Sequence, residues 1–103
     1  MIVVDTSVWV AALRAPTAPE IRILASLLDA DEVLLPVPVR LELLLGAPTR
    51  ERARLRQALA GLPVAYPADD TWTLIEAWAA TAREAGQRFG VGDLLIAALA
   101  AEQ

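Results

Sequence analysis

The sequence predicts an α/β fold built on a parallel sheet, and two patterns support this. Three short apolar runs, bounded by acids, glycine or proline, are typical of buried strands. Helical periodicity fills the segments that follow them, and strands that alternate with helices pair in parallel. The chain of 103 residues, with a hydrophobic fraction of 56%, is expected to form a single domain, 1–103, with a substantial core.

The first half of the chain is predicted to contain two strands and three helices. We expect a strand at 2–4, helices at 7–14 and 19–30, a strand within 32–37 and a helix at 39–45. The first helix should stop before Pro16, and prolines near the start of the next two helices suit the first turn.

The second half is predicted to contain two helices, one strand and a buried final helix. Their expected bounds are 49–62 for a helix, 64–66 for a strand, and 69–85 and 92–101 for the last two helices. One inward stripe of the long helix would be formed by Trp72, Ile75, Ala79 and Ala82, with Gly86 ending it. The final helix is apolar after its first turn, so we expect it to be buried.

The composition limits the available chemistry to oxygen ligands and hydroxyls. Cysteine and histidine are both absent, which excludes thiolate sites, imidazole ligands and His-dependent triads. Any metal would therefore be Mg²⁺ or Mn²⁺ rather than Zn²⁺. No apolar run approaches the length that crosses a bilayer, so we expect a cytoplasmic protein without a membrane partner. A net charge of −4 argues against general coating of nucleic acid.

Three acids stand alone in apolar surroundings: Asp5, Glu42 and Asp93. Asp5 follows the first strand and Asp93 lies in the first turn of the last helix, so each could simply cap a helix. Glu42 lies too far into its helix to be a cap, and the alternative for it is an ion pair with Arg40 or a neighbouring helix. Burying any of these carboxylates without a partner would cost several kcal/mol, by the order of magnitude typical of such groups.

Together the three acids indicate a cation site. The tips of parallel strands and the helices that follow them share one edge of the sheet, so Asp5 and Glu42 should converge there. Asp93 joins them if the last helix also begins at that edge. Converging carboxylates repel one another, and a divalent cation relieves the repulsion.

Three motifs in this order, MIVVDTSVW, PVPVRLELLLG and GVGDLLIAALA, carry a family resemblance over essentially the whole chain. The sequence resembles the PIN-domain ribonucleases, most closely the small VapC-type toxins of type II toxin–antitoxin pairs. The resemblance implies a three-layer α/β/α fold and an endoribonuclease that depends on Mg²⁺ or Mn²⁺. It also implies an RNA substrate, a homodimer and a cognate antitoxin.

Carried over by position, Asp5, Glu42 and Asp93 match the metal-binding acids of that family, and Thr6 or Ser7 matches its hydroxyl near the first acid. One departure concerns the C-terminus. The family continues into a fourth strand, a further Asp and a fifth strand, whereas this chain stops at Gln103. We therefore expect the last strands to be missing and the first strand to be left at an edge of the sheet.

Arginines are the candidate contacts for RNA. Arg14 and Arg40 lie near the predicted site in sequence and are preferred as phosphate contacts. A second set of arginines consists of Arg50, Arg52, Arg54 and Arg56. These side chains could contact RNA or the antitoxin, or they could simply form a solvated helix face. Trp72 and Trp78 are more typical of a core or a dimer interface than of base stacking.

Two other functions compete with the nuclease. A non-catalytic PIN-like module that dimerises or binds an antitoxin would need no cation. An aspartate-nucleophile phosphatase or a phospho-acceptor domain would also begin with a strand and an Asp. The phosphatases, however, need a second Asp where this chain has Ser7, and the phospho-acceptor domains need a late Lys, which the chain lacks.

Overall fold

Three strands and six helices make up the part of the chain described by this computed structural model, residues 1–14, 17 and 19–103. The elements are β1 (Ile2–Val3), α1 (Thr6–Arg14), α2 (Pro19–Asp29), β2 (Val33–Pro36), α3 (Val37–Gly46), α4 (Thr49–Leu59), β3 (Val64–Ala65), α5 (Asp69–Glu84) and α6 (Val91–Ala101). Every predicted strand and helix is present. The predicted stop at Pro16 lies outside the described residues.

The sheet has the order β1-β2-β3, and both of its strand pairs are parallel. Ile2 pairs with Val33 and Leu35 pairs with Val64, so β2 hydrogen-bonds to a neighbour on each side. All four residues of β2 are buried, as expected for a parallel strand covered on both faces. Within the described residues β1 lies at one edge, as predicted, and Ile2 is 43% exposed there.

The core lies between β2 and the helices that cover it. Leu35 of β2 and Val39 of α3 are both fully buried. The other members of the core cluster are Val4, Trp9, Ala12, Leu24, Val33, Leu43, Leu44 and Leu59. α1 packs against α2 and α3, while α6 packs against α5 and α3. α3 is thus in contact with helices from both halves of the chain.

The buried face of α5 differs from the predicted stripe, because Trp72 is 45% exposed and its neighbour Thr71 is fully buried. Thr71 is buried because its hydroxyl is fully used: it accepts a hydrogen bond from the Ala68 N–H (3.1 Å) and donates one to the Glu102 carboxylate (2.7 Å). Ile75 continues this face. A hydrogen-bonded threonine therefore occupies the inward position that we had predicted for a tryptophan.

The predicted end of α5 is confirmed. Gly86 has a positive φ of 74°, a conformation that glycine adopts without a steric penalty. The Gly86 N–H donates to the Arg83 carbonyl and the Gln87 N–H donates to the Ala82 carbonyl (2.8 Å). These two bonds form a Schellman motif, which satisfies the last carbonyl groups of the helix.

The prediction that α6 is buried is wrong for most of its length. Only Ala98 and Leu99 are buried, and Val91 is 61% exposed. One side of α6 packs against α5 and α3, but another side lines an open cleft beside β1, so apolar residues there stay in contact with solvent. In the described residues, no helix has both the length and the apolar character that crossing a membrane requires.

Truncation of the central strand should destabilise the fold strongly. Leu35→Ala is expected to lower the free energy of unfolding by about 2–5 kcal/mol, because it removes buried methyl groups and leaves a cavity. The matched control is Leu45→Ala, whose side chain is 76% exposed and whose loss should cost about 0.5 kcal/mol or less. Urea unfolding followed by circular dichroism measures both. Equal losses in the two variants would contradict a core centred on β2.

Candidate active site

The candidate site lies at the edge of the sheet where the parallel strands end. β1 ends at Val3 and α1 begins at Thr6, which leaves Asp5 at the turn between them. β2 runs directly into α3, so the first turns of this helix lie at the same edge. Parallel strands end on one side of a sheet, and binding sites of open α/β folds form there.

A cleft of about 300 Å³ opens at this edge, between β1 and α6. Its lining consists of Val3, Asp5, Asp93, Ile96, Ala97 and Ala100. The first and last of the three candidate acids, which lie far apart in the sequence, therefore face one cleft. Its remaining walls are apolar. This places the start of α6 at the same edge as the end of β1.

Glu42 is held beside this cleft by residues adjacent to the other two acids. The Thr6 hydroxyl donates a hydrogen bond of 2.7 Å to Oε2 of Glu42. The other carboxylate oxygen, Oε1, lies 3.4 Å from the position that a Cβ atom would occupy on Gly92. Thr6 follows Asp5 and Gly92 precedes Asp93, so Glu42 lies between the starts of α1 and α6. The hydrogen-bond partner of Glu42 is Thr6 rather than Arg40, the arginine considered above.

Ser7 favours the carboxylate form of Asp5. The Ser7 hydroxyl donates a hydrogen bond to Oδ2 of Asp5, and the Ser7 backbone N–H donates to the same oxygen (3.3 Å). The Ser7 hydroxyl bond is the main reason that the pKa of Asp5 lies below its ordinary value, while partial burial acts in the opposite direction. The two neighbouring hydroxyls thus serve different acids, Thr6 binding Glu42 and Ser7 binding Asp5.

All three candidate acids are exposed, so the large burial cost expected for them does not apply. Among residues 1–14, 17 and 19–103, no three acids lie close enough together to ligate one ion as they stand. The donors themselves are of the right kind, because carboxylate and hydroxyl oxygens are the ligands that Mg²⁺ and Mn²⁺ prefer. Exposed side chains also change rotamer at little cost. The chemistry of these donors, rather than their present arrangement, therefore suits a hard divalent cation.

The two arginines preferred as RNA contacts lie in different surroundings. Arg14 is exposed at the last residue of α1, about 12 Å along the helix axis from Thr6 at the usual rise per residue. Arg40 is half-buried on α3. It precedes Glu42 by two residues, and side chains at that spacing do not face each other on a helix.

Two features of the site were not predicted from the sequence. The pairing of Thr6 with Glu42 joins helices far apart in the chain, and no local pattern encodes it. The nearness of Gly92 to Glu42 also joins two helices far apart in the chain. A Cβ atom at Gly92 would meet the Glu42 carboxylate at 3.4 Å, an ordinary contact distance, so this approach does not require a glycine.

The fold and the site together define a small α/β protein that presents acids at the C-terminal edge of a parallel sheet. A model of the PIN domain matches residues 2–103, so the chain belongs to the PIN domain family. PIN domains are usually nucleases, which generally use divalent metal ions, and the family suggests binding of nucleic acid. No curated protein matches the chain with significance. The α/β architecture with its parallel sheet agrees with the predicted PIN-like fold.

Removal of the Ser7 hydroxyl should raise the pKa of Asp5 towards its ordinary value. Ser7→Ala deletes the main hydrogen bond that favours the carboxylate, and NMR titration of the Asp5 carboxyl carbon measures the change. Because the folded-state pKa is depressed, the stabilisation is present above the unfolded-state pKa and is lost as pH falls through the folded-state pKa. Ser7→Ala should lose this acid-sensitive contribution. Thr6→Val is the control, and an equal shift in both variants would rule out Ser7 as the cause.

The hydrogen bond between Thr6 and Glu42 should appear as a coupling energy. In a double-mutant cycle of Thr6→Val and Glu42→Ala, we expect the two losses of unfolding free energy to be non-additive by about 0.5–1.5 kcal/mol. The comparison cycle pairs Ser7→Ala with Glu42→Ala and should be additive, because Ser7 binds Asp5 instead. Thermal and urea unfolding supply the data. Additivity in the first cycle would show that the bond contributes nothing to folding.

Proposed function

We propose that this chain is a metal-dependent endoribonuclease, the VapC-like toxin of a type II toxin–antitoxin pair. The observation that carries the proposal is the meeting of Asp5 and Asp93 in one cleft at the C-terminal edge of the sheet. Membership of the PIN domain family supports it, since these domains are usually nucleases. RNA is the proposed substrate, and Arg14 and Arg40 are its proposed phosphate contacts.

The proposed cofactor is Mg²⁺ or Mn²⁺, held by Asp5, Glu42 and Asp93. When bound, such a cation lowers the pKa of a coordinated water and stabilises the negative charge that develops on a phosphate. The chain lacks histidine and cysteine, so the groups available for this chemistry are these carboxylates and the nearby hydroxyls. Their mutual repulsion at one edge favours a divalent cation.

Neighbouring residues prepare these acids for the proposed role. Ser7 positions the Asp5 carboxylate through two hydrogen bonds to one of its oxygens. Thr6 fixes one oxygen of Glu42 and leaves the other near Gly92 at the start of α6.

A homodimer and a small cognate antitoxin are the proposed protein partners. Support comes from large apolar side chains that the fold leaves exposed on its helices, namely Leu13, Ile23, Leu41, Leu45 and Trp72. Leu41 and Leu45 are one turn apart on α3 and so share one face of that helix. Exposed apolar patches are typical of protein interfaces.

Loss of either cleft acid should weaken metal binding and RNA cleavage together. We expect Asp5→Asn and Asp93→Asn each to weaken Mn²⁺ binding by about tenfold or more, a loss typical of altered metal sites. Calorimetry measures binding, and cleavage of a labelled RNA in Mn²⁺ measures activity. Asp29→Asn is the matched control, because Asp29 is exposed at the end of α2, which leads into the opposite edge of the sheet.

Measurements on the wild-type chain distinguish the nuclease from the non-catalytic module. Binding and cleavage that both acid substitutions remove would support the nuclease. A folded wild-type chain that neither binds Mn²⁺ nor cleaves RNA would contradict the nuclease proposal and favour the non-catalytic module. Equal effects of the cleft substitutions and Asp29→Asn would show that binding is unspecific.

A further inference from the structure

We propose that α4 carries a surface that binds the phosphate backbone of nucleic acid, formed by Arg50 and Arg54. We call this surface the arginine face. The inference rests on the proposed nuclease function, because it names a second place where the substrate would contact the chain. It is separate from the acid cleft and involves neither Arg14 nor Arg40.

The arginine face concentrates positive charge in an acidic protein. α4 holds four of the nine basic residues in the chain and a single acid, Glu51, which gives this helix a net charge of +3. The whole chain carries −4, so the residues outside α4 are more acidic than the average for the chain. A polyanion is therefore attracted to α4 and repelled by much of the remaining surface.

Arg52 differs from the other three arginines because it has a structural role. Its Nε donates a hydrogen bond of 3.0 Å to the Leu44 carbonyl in the last turns of α3, and the residue is half-buried. This bond ties the start of α4 to the end of α3. Arg50, Arg54 and Arg56 are exposed, which leaves them accessible to a ligand.

The packing of α4 places Arg50 and Arg54 away from the core. Leu59 is buried and Leu55 is half-buried, and these two define the inner side of the helix. Arg50 and Arg54 are one turn apart on the opposite side. Like charges at this spacing destabilise an isolated helix, so the arrangement does not serve folding. A bound anion would relieve the repulsion.

The dimensions of the arginine face suit a nucleic-acid strand. From Arg50 to Arg54 the helix rises about 6 Å. At about 3.4 Å per nucleotide along one strand, this length corresponds to about two phosphates. Guanidinium groups bind phosphate through two parallel hydrogen bonds, which ammonium groups do not match. The family suggests binding of nucleic acid, which favours a nucleic-acid ligand over an acidic peptide.

The test compares two double variants that remove the same charge. The first is Arg50→Gln with Arg54→Gln, and Arg52 is kept so that its bond to Leu44 remains. The control is Arg22→Gln with Arg83→Gln, two exposed arginines outside α4. Glutamine and arginine have similar helix propensity, so both variants should fold, and circular dichroism checks this. Fluorescence anisotropy then measures binding of a labelled single-stranded RNA in EDTA at several salt concentrations.

We expect the first variant to bind RNA more weakly and with a smaller salt dependence. Each lost contact with a single strand lowers the slope of log K against log[salt] by about 0.7, so two contacts lower it by about 1.4. Unchanged slopes, or equal slopes in the two variants, would overturn the arginine face. So would a folded wild-type chain that does not bind RNA.

Two further measurements distinguish RNA binding by the arginine face from nuclease activity and from binding of an acidic protein. Cleavage of the same RNA in Mn²⁺ tests the nuclease separately, since binding in EDTA needs no catalysis. A chain that binds through the arginine face but does not cleave would refute the nuclease alone. If the first variant keeps RNA binding and instead loses binding of polyglutamate, the surface serves an acidic protein, and the nucleic-acid proposal is wrong.

Discussion

The parallel pairing of β2 with strands on both sides is the constraint on which the rest of the structure depends. β2 is buried along its whole length, so its register and its direction are fixed by the core. Both neighbouring strands run in the same direction, which brings their ends to one edge. Asp5 follows β1 at this edge, and α3, which carries Glu42, begins there. The position of the candidate acids is thus a consequence of how the strands pair.

The order of elements could be predicted from the sequence because each depends on local patterns. Short β-branched runs and helical periodicity identify strands and helices, and prolines and glycines mark their ends, as Gly86 does for α5. The rule for parallel sheets predicted that Asp5 and Glu42 share one edge. It left Asp93 dependent on where α6 begins, and the structure supplies that position. Topology therefore carried the prediction further than any single motif.

Predictions from the sequence were wrong where burial depends on which side of a helix packs against a neighbouring element. Trp72 was expected to face inward, but the inward position belongs to Thr71, whose hydroxyl bonds to the Ala68 N–H at the start of α5 and to the Glu102 carboxylate. The apolar sequence of α6 predicted burial, yet part of its surface faces an open cleft. The pairing of Thr6 with Glu42 likewise depends on tertiary contact. Local patterns give the type of an element but not the identity of its neighbours.

The hydrogen bond between Thr71 and Glu102 links the start of α5 to the end of α6. It joins the first turn of α5 to the residue that follows α6, across a separation of 31 residues, while the helices pack against each other along their length. Two helices connected in this way should open as one cooperative unit rather than fray one after the other. Native-state hydrogen exchange of α5 and α6 would then share a common opening free energy.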